Sequence, residues 1–265
     1  MMRSTEFPML VCLSIVLSCA VTSCKKQNAA PKETNESANK FEQDRTDAEA
    51  VMADLMKAWD NVETIRASVS FEMQQGAGGP GLTRGKGNYL FRKSRGKAML
   101  RYFTENNIIM KKDPRDPDGF FTIEHVEWAC DGDFLFKRTL QHKLHTMTRD
   151  VYRPEDVLQI GGPELLDAIR REPRVFVVGS TVIQGKPAVV IGTSDEKGGW
   201  ATEHTFDTES GVRVLWVGKN EVGEETLRMT VSDIILNVEW VDGEFVMQTR
   251  SDIVFTDLVP KGSQP

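Results

Sequence analysis

Few residues of this chain are of the types that catalyse reactions or hold metals, and their spacing does not bring them together. The 265 residues include four His and four Cys. His142 and His145 lie in a predicted hairpin, where side chains three residues apart point to opposite faces, so they are poorly placed to share a metal ion. Cys130 is interpreted as a buried, inert thiol, because closeness in sequence to His125 does not activate it.

The acidic loop at residues 113–119 (DPRDPDG) partly resembles a calcium-binding loop. Pro114 and His125 would occupy the first and last ligand positions of that motif, so the loop is interpreted as a plain acidic turn. The chain also lacks the His-Glu-x-x-His, Gly-x-Ser-x-Gly and glycine-rich phosphate-loop motifs. We therefore predict no catalytic residue, no metal and no cofactor, and a protein that is not an enzyme.

The charge of the chain excludes one class of partner. The formal net charge is −6 and the sequence pI is about 5.4. Nucleic-acid-binding domains usually present a basic face, and the acidic and basic residues are mixed along this chain. No nucleic-acid partner is predicted.

The amino terminus has the pattern of a signal peptide. Arg3 precedes an apolar run at residues 7–17, and small residues then lead to Cys24. That run is too short to cross a hydrocarbon core, which takes about 20 apolar residues. Residues 1–23 are predicted to be a signal peptide, and residues 24–44 a polar linker too poor in apolar residues to fold.

The end of this signal, Val21-Thr22-Ser23-Cys24, resembles the lipobox of bacterial lipoproteins. The resemblance implies that Cys24 is lipidated and anchors the chain to a membrane of the cell envelope, facing the periplasm. Lys25 stands where an Asp retains such proteins at the inner membrane in some bacteria, which favours the outer membrane. The alternative is an ordinary signal peptide that ends in an unrelated Cys.

The body of the chain is predicted at residues 45–258, followed by a disordered tail at 259–265. Apolar residues at helical spacing predict a helix over 46–62, and residues 154–172 predict two short helices separated by Gly-Gly-Pro. Elsewhere apolar and polar residues alternate, which predicts strands in an antiparallel meander. The predicted class is α+β, with the helices on one face of a large curved sheet. The predicted strands are 65–74, 85–91, 98–103, 107–111, 120–128, 134–136, 143–148, 174–183, 187–193, 201–207, 212–218, 224–238 and 244–250.

A sheet of this size carries more apolar surface than two short helical segments can cover. It must either close around a packed core or keep an apolar cleft, and such clefts bind hydrophobic ligands. The alternation of apolar residues is compatible with both.

The order of these elements resembles the LolA-like superfamily of periplasmic lipoprotein carriers and lipoprotein-sorting proteins. The resemblance spans residues 47–250 and is carried by 67–71 (ASVSF), 85–91 (GKGNYLF), 98–102 (AMLRY), 131–136 (DGDFLF), the segment 206–213 and 231–234 (VSDI). It implies a strongly curved, incomplete barrel with helices covering the concave face. It also implies an apolar cavity that shelters acyl chains of lipoproteins or lipids during sorting or transport.

Two departures from the superfamily concern how a ligand would be handed over. Ser94 stands where the carriers have an Arg tied to ligand release, and an extra segment occupies roughly 112–129. Together with the predicted anchor, these departures favour a fixed acceptor over a shuttle. The alternative function is an envelope-sensing or protein-interaction module with a closed core and an envelope protein as partner. The residues that the resemblance places on the cavity wall are Val69, Phe71, Tyr89, Phe91, Leu100 and Tyr102.

Overall fold

The computed structural model describes residues 35–74, 82–94, 97–110, 120–141, 144–153, 157–196, 201–239, 247 and 253–259. For residues 35–41, 94, 97–110 and 120–123 this description covers the backbone alone. The elements in these ranges are α1 (Asn35–Asp60), β1 (Thr64–Gln74), β2 (Leu82–Ser94), β3 (Lys97–Met110), β4 (Phe120–Cys130), β5 (Phe134–Gln141), β6 (Leu144–Val151), α2 (Pro163–Arg170), β7 (Arg174–Ile183), β8 (Lys186–Ser194), β9 (Ala201–Asp207), β10 (Arg213–Lys219), β11 (Glu225–Leu236) and β12 (Val254–Asp257).

The strands form one sheet that does not close into a barrel. Its order is β12-β6-β5-β4-β3-β2-β1-β11-β10-β9-β8-β7. The predicted class, an α+β incomplete barrel built on an antiparallel sheet, is confirmed. Two pairs depart from the predicted meander: β1 pairs with β11, which is distant in the chain, and β12 runs parallel to β6.

Helix α1 begins earlier than the sequence predicted. It starts at Asn35, so the last part of the stretch predicted as a linker, 24–44, is helical. No Pro or Gly interrupts residues 35–45, and the guanidinium of Arg45 donates to the carbonyl oxygens of Glu172 (2.9 Å) and Pro173 (3.2 Å) just beyond α2. This contact explains why the helix begins before residue 46, where it was predicted to start.

The region before α2 corrects a second prediction. The second of the two predicted short helices is present as α2, and Pro163, predicted to be part of the break, forms its first turn together with Glu164. Residues 157–162, predicted to lie in a preceding short helix and its break, form neither helix nor strand. We call this segment the strap, because it crosses the concave face of the sheet.

Several predictions concern residues outside the described ranges. They include the signal peptide, Cys24, the acidic loop at 113–119, His142, nearly all of the predicted strand 244–250 and most of the tail. In the part of the chain that is described, no helix is long and apolar enough to cross a membrane.

The concave face carries two apolar clusters. The helix-covered cluster joins α1 and α2 to β7, β8 and β9, and its buried members are Ala48, Met52, Leu55, Leu165, Leu166, Ile169, Val175, Val189, Ile191 and Phe206. The strap-covered cluster joins Trp59 and the strap to the central strands, and its buried members are Trp59, Val62, Ile65, Ala67, Val69, Tyr89, Phe91, Cys130, Leu135, Leu158, Ile160, Val212, Met229 and Val231.

Candidate functional site

The strap fills the concave face with two side chains and two glycines. Leu158 and Ile160 are buried in the strap-covered cluster. Gly161 packs directly against the ring of Trp59, and a Cβ atom at this position would stand only 2.2 Å from Trp59 Cζ3. Gly162 has φ +92°, a conformation that residues with side chains rarely adopt. The Gly-Gly pair therefore lets the chain pass under Trp59 at van der Waals distance.

The predicted cavity wall is divided between the core and its edge. Val69, Tyr89 and Phe91 are buried in the strap-covered cluster, and the rings of Phe91 and Trp59 lie 5.2 Å apart. Phe71 is half-buried and packs against the same cluster. These residues line the side of the sheet that the resemblance assigned to the cavity, and their contact with a ligand stays a prediction.

The positions of the remaining two wall residues follow from the backbone pairing of their strands. Leu100 pairs with Phe91, and Tyr102 pairs with Tyr89, in the β2–β3 ladder. Directly paired residues of neighbouring strands share a face of a sheet. The side chains of Leu100 and Tyr102 lie outside the described part of the structure.

An apolar row crosses the sheet beside the strap. Phe71 pairs with Met229, and Met229 pairs with Trp216. Phe71 and Trp216 are half-buried and flank the buried Met229. On the other side of Phe71, the same face of β2 carries Gly85 and Gly87, which have no side chain to fill it. The row thus continues the strap-covered cluster toward solvent.

A buried arginine, not predicted to be functional from the sequence, lies at the inner end of this row. Arg213 is 3% exposed, and its guanidinium carbon lies 4.6 Å from the centre of the Trp216 ring. Its Nη2 donates to the carbonyl oxygen of Gln159 at 2.5 Å, and its backbone N–H donates to the carbonyl oxygen of Ile160 at 2.6 Å. The strap is therefore held to β10 through Arg213.

A polar chain leads from Arg213 across the sheet. Its Nη1 lies 3.2 Å from Nδ1 of His204, and Nε2 of His204 lies 3.1 Å from Oγ1 of Thr202, which is 2.5 Å from Oγ1 of Thr193. A guanidinium only donates hydrogen bonds, so Nδ1 accepts and Nε2 carries the proton. Burial, and then the charge of Arg213, hold the pKa of His204 well below its ordinary value, so the imidazole is neutral.

The charge of Arg213 has no acidic partner among the described residues. Burial lowers its pKa to about 9, and the nearby Tyr89 opposes that shift. The pKa of Tyr89 is itself raised, chiefly by burial, and Tyr89 is hydrogen-bonded to the backbone of Ile160. Nε of Arg213 and Nε1 of Trp216 are buried and have no hydrogen-bond partner in the described structure. Buried donors without partners are uncommon in folded proteins.

Arg213 lies in a segment that the sequence analysis did single out. It belongs to the segment 206–213 that carries the family resemblance, and alternation assigns it to the predicted strand 212–218. Alternation of apolar and polar residues places an arginine on a face, and it does not reveal whether that face is covered by a distant segment such as the strap. The burial of Arg213 therefore depends on a tertiary contact.

Two other features do not form a chemical site. Within the described residues, no group of three or more His, Cys, Asp or Glu side chains could hold a metal ion. A cleft of about 410 Å³ lies at the ends of β8, β9 and β11, and no residue of the predicted cavity wall lines it. Its lining includes Ile183, Lys186, Asp207, Val214, Asp233 and Ile235.

Comparisons with known proteins bear on the fold. No protein-family model and no curated protein matches the chain. Similar solved structures include MucB (15% identity, TM-score 0.45), covering 78% of this chain and 64% of MucB. LprF from Mycobacterium bovis matches at 12% identity and TM-score 0.38, covering 73% of this chain and 95% of LprF. An outer-membrane lipoprotein-sorting domain from Vibrio parahaemolyticus matches at 11% identity and TM-score 0.33, covering 77% of this chain and 97% of that domain.

The chain spans 64% of the length of MucB, a protein that has also been solved in complex with MucA. At these identities and TM-scores the likeness concerns the fold alone, and the functional argument depends on the residues described above.

Proposed function

We propose that this chain is a cell-envelope lipoprotein, anchored through Cys24, that binds an acyl chain of a lipoprotein or lipid on the concave face of its sheet and acts in lipoprotein or lipid sorting. The observation that carries the proposal is the half-buried apolar row of Phe71, Met229 and Trp216 beside the strap. The residues before Asn35 would connect the anchor, most simply in the outer membrane, to this body.

The energetics favour an acyl chain at this place. Each methylene group buried from water contributes about 0.8 kcal/mol, so even a short part of an acyl chain gains several kcal/mol along an apolar row. The covering segment here is the strap, whose residues belong to no helix or strand. Leu158 and Ile160 can therefore be exchanged for a ligand without breaking a helix or a strand ladder.

One observation favours a second candidate, a protein-interaction module. Val69, Tyr89 and Phe91 are tightly covered by Trp59 and the strap, as expected of a closed core. Strand β7 is at the edge of the sheet, so a partner strand can pair with its backbone. Its side chains Val178 (52%) and Val182 (68%) are exposed. The complex of MucB with MucA is an example of protein binding by a protein of similar fold.

Native mass spectrometry separates the two candidates. The full chain would carry Cys24→Ser, so that no acyl group is attached covalently, and would be purified without detergent. Acyl binding predicts a co-purified lipid mass that Phe71→Ser reduces and that the matched surface control Val182→Ser retains. A lipid-free mass for the parent chain, with no uptake of added palmitate, would contradict acyl binding and favour the interaction module.

A further inference from the structure

We propose that Arg213 binds the anionic head group of the ligand, a carboxylate or a phosphate, at the inner end of the apolar row. This inference rests on the proposed function, and it specifies the ligand as an acyl chain with an acidic head. It also assigns Trp216 a second role, since its indole N–H lies beside the same site.

The first argument is the charge of Arg213. Arg213 is 3% exposed, so its guanidinium has lost nearly all of its water, and its partners among the described residues are a backbone carbonyl, a neutral imidazole and an aromatic ring. None of these carries a negative charge. Buried charges in proteins are normally paired with a counter-charge, because removal from water is costly. An acidic ligand supplies the missing charge.

The second argument is the number of free donors. Nε of Arg213 and Nε1 of Trp216 both lack a partner in the described structure, and the two side chains are stacked 4.6 Å apart. Carboxylate and phosphate groups have several acceptor oxygens and bind arginine through parallel hydrogen bonds. Two neighbouring unpartnered N–H groups are the donors that such a group requires.

The third argument is continuity with the apolar row. Trp216 stacks on Arg213 with its ring and also pairs with Met229 in the row that ends at Phe71. A ligand with its head at Arg213 would run its chain over Met229 and Phe71 toward the glycines of β2. The carbonyl oxygen of Gln159 holds Nη2 in this structure, so the head group would take the place of the strap at that nitrogen.

The test compares three probes that share a sixteen-carbon chain and differ in the head group. They are palmitate, hexadecyl phosphate and the uncharged hexadecanol, each titrated into the full chain carrying Cys24→Ser. We expect the better of the two acids to bind at least about 10-fold more tightly than hexadecanol, since a buried arginine pairs with an anion and not with an alcohol. The stronger of the two acids identifies the head group as carboxylate or phosphate.

Two variants assign this preference to the proposed residues. Arg213→Lys keeps the charge but loses the forked donors, so the preferred acid should bind about 10-fold more weakly while hexadecanol changes by less than about 2-fold. Trp216→Phe keeps a ring and loses one N–H, so a loss of about 3-fold for the acid is expected. Arg228→Lys, at an exposed arginine of β11, is the matched control and should change neither.

Three results would overturn the inference. Equal affinity for the acids and the alcohol would refute a head-group site and leave acyl binding intact. Equal loss for acid and alcohol in Arg213→Lys, with the same thermal unfolding as the parent chain, would show that Arg213 only supports the fold. Binding of none of the three probes would refute the proposed function together with this site.

Discussion

The two clusters on the concave face are covered in different ways. The helix-covered cluster lies under α1 and α2, whose backbone groups are hydrogen-bonded within the helices. The strap-covered cluster lies under a segment without helix or strand, and that segment is tied to the sheet through the buried polar groups of Arg213 and Tyr89. The helix-covered cluster stabilises the fold, whereas the strap-covered cluster includes a polar group, Arg213, that a ligand can bind.

This difference matters because a binding site must open. If a helix moved away from the sheet, its whole apolar face would be exposed to water at once, so opening at the helices is unfavourable. Opening of the strap would expose only Val157, Leu158 and Ile160 of its described side chains from the cluster, and the hydrogen bonds lost at Arg213 can be replaced by those of a ligand. We therefore expect stability and ligand binding to respond to different mutations in the two halves.

The largest effect is expected in the helix-covered cluster. Leu166→Ala removes a buried side chain beneath α1 and should lower the free energy of unfolding by about 3 kcal/mol, the usual result for a leucine whose cavity cannot collapse. Palmitate affinity, measured on the folded variant, should remain unchanged. Chemical denaturation gives the first quantity, and a changed palmitate affinity would contradict the separation of the two halves.

A substitution in the strap is expected to lower stability by a smaller amount and to strengthen palmitate binding. Gly161→Ala would place a methyl group 2.2 Å from Trp59 Cζ3, so the strap must move away from the ring. The free energy of unfolding should fall by about 2 kcal/mol, as for other overpacked sites. Because the displaced strap competes less with a ligand, palmitate should bind more tightly, and unchanged or weaker binding would argue against the strap as the displaced cover.

The polar chain should make stability depend on pH. The pKa of His204 is lowered in the folded protein, so below the unfolded value of about 6.5 the unfolded chain binds more protons and stability falls as the pH falls. One such histidine contributes a slope of up to about 1.4 kcal/mol per pH unit, so a loss of about 1 kcal/mol is expected between pH 7 and pH 5.5.

Two variants test whether His204 causes this dependence. His204→Gln should flatten the stability profile between pH 7 and pH 5.5, because it removes the titrating group. His145→Gln, in β6, should leave it as in the parent chain. A profile that stays equally steep in His204→Gln would assign the pH dependence to other groups.

The smallest effect concerns the contact between α1 and the end of α2. Arg45→Met removes hydrogen bonds from an exposed guanidinium to the carbonyl oxygens of Glu172 and Pro173. The expected loss is under about 1 kcal/mol in the free energy of unfolding, since water can replace these bonds. A loss above about 2 kcal/mol would show that the early start of α1 is needed to dock the helices.

Local patterns predicted the strands and the fold class, because alternation with period two persists in β1, β2 and β7 to β11. The resemblance assigned Val69, Tyr89 and Phe91 to the inward face, and all three are buried in the strap-covered cluster. The strap could not be predicted, since the sequence before Gly161 carries helix-start signals, and the contacts that the strap makes with Arg213 and Trp59 join residues far apart in the chain. The burial of Arg213 was hidden for the same reason, as it depends on a segment more than fifty residues away in the chain.

Hydrogen exchange with and without palmitate tests the central claim most directly. The account predicts that palmitate changes the exchange of amides in the strap and at the start of β10, while amides of α2, only a few residues further along the chain, keep their rates. An unchanged strap at saturating palmitate, or a change confined to α1 and α2, would contradict the claim that the ligand enters where the strap covers the sheet.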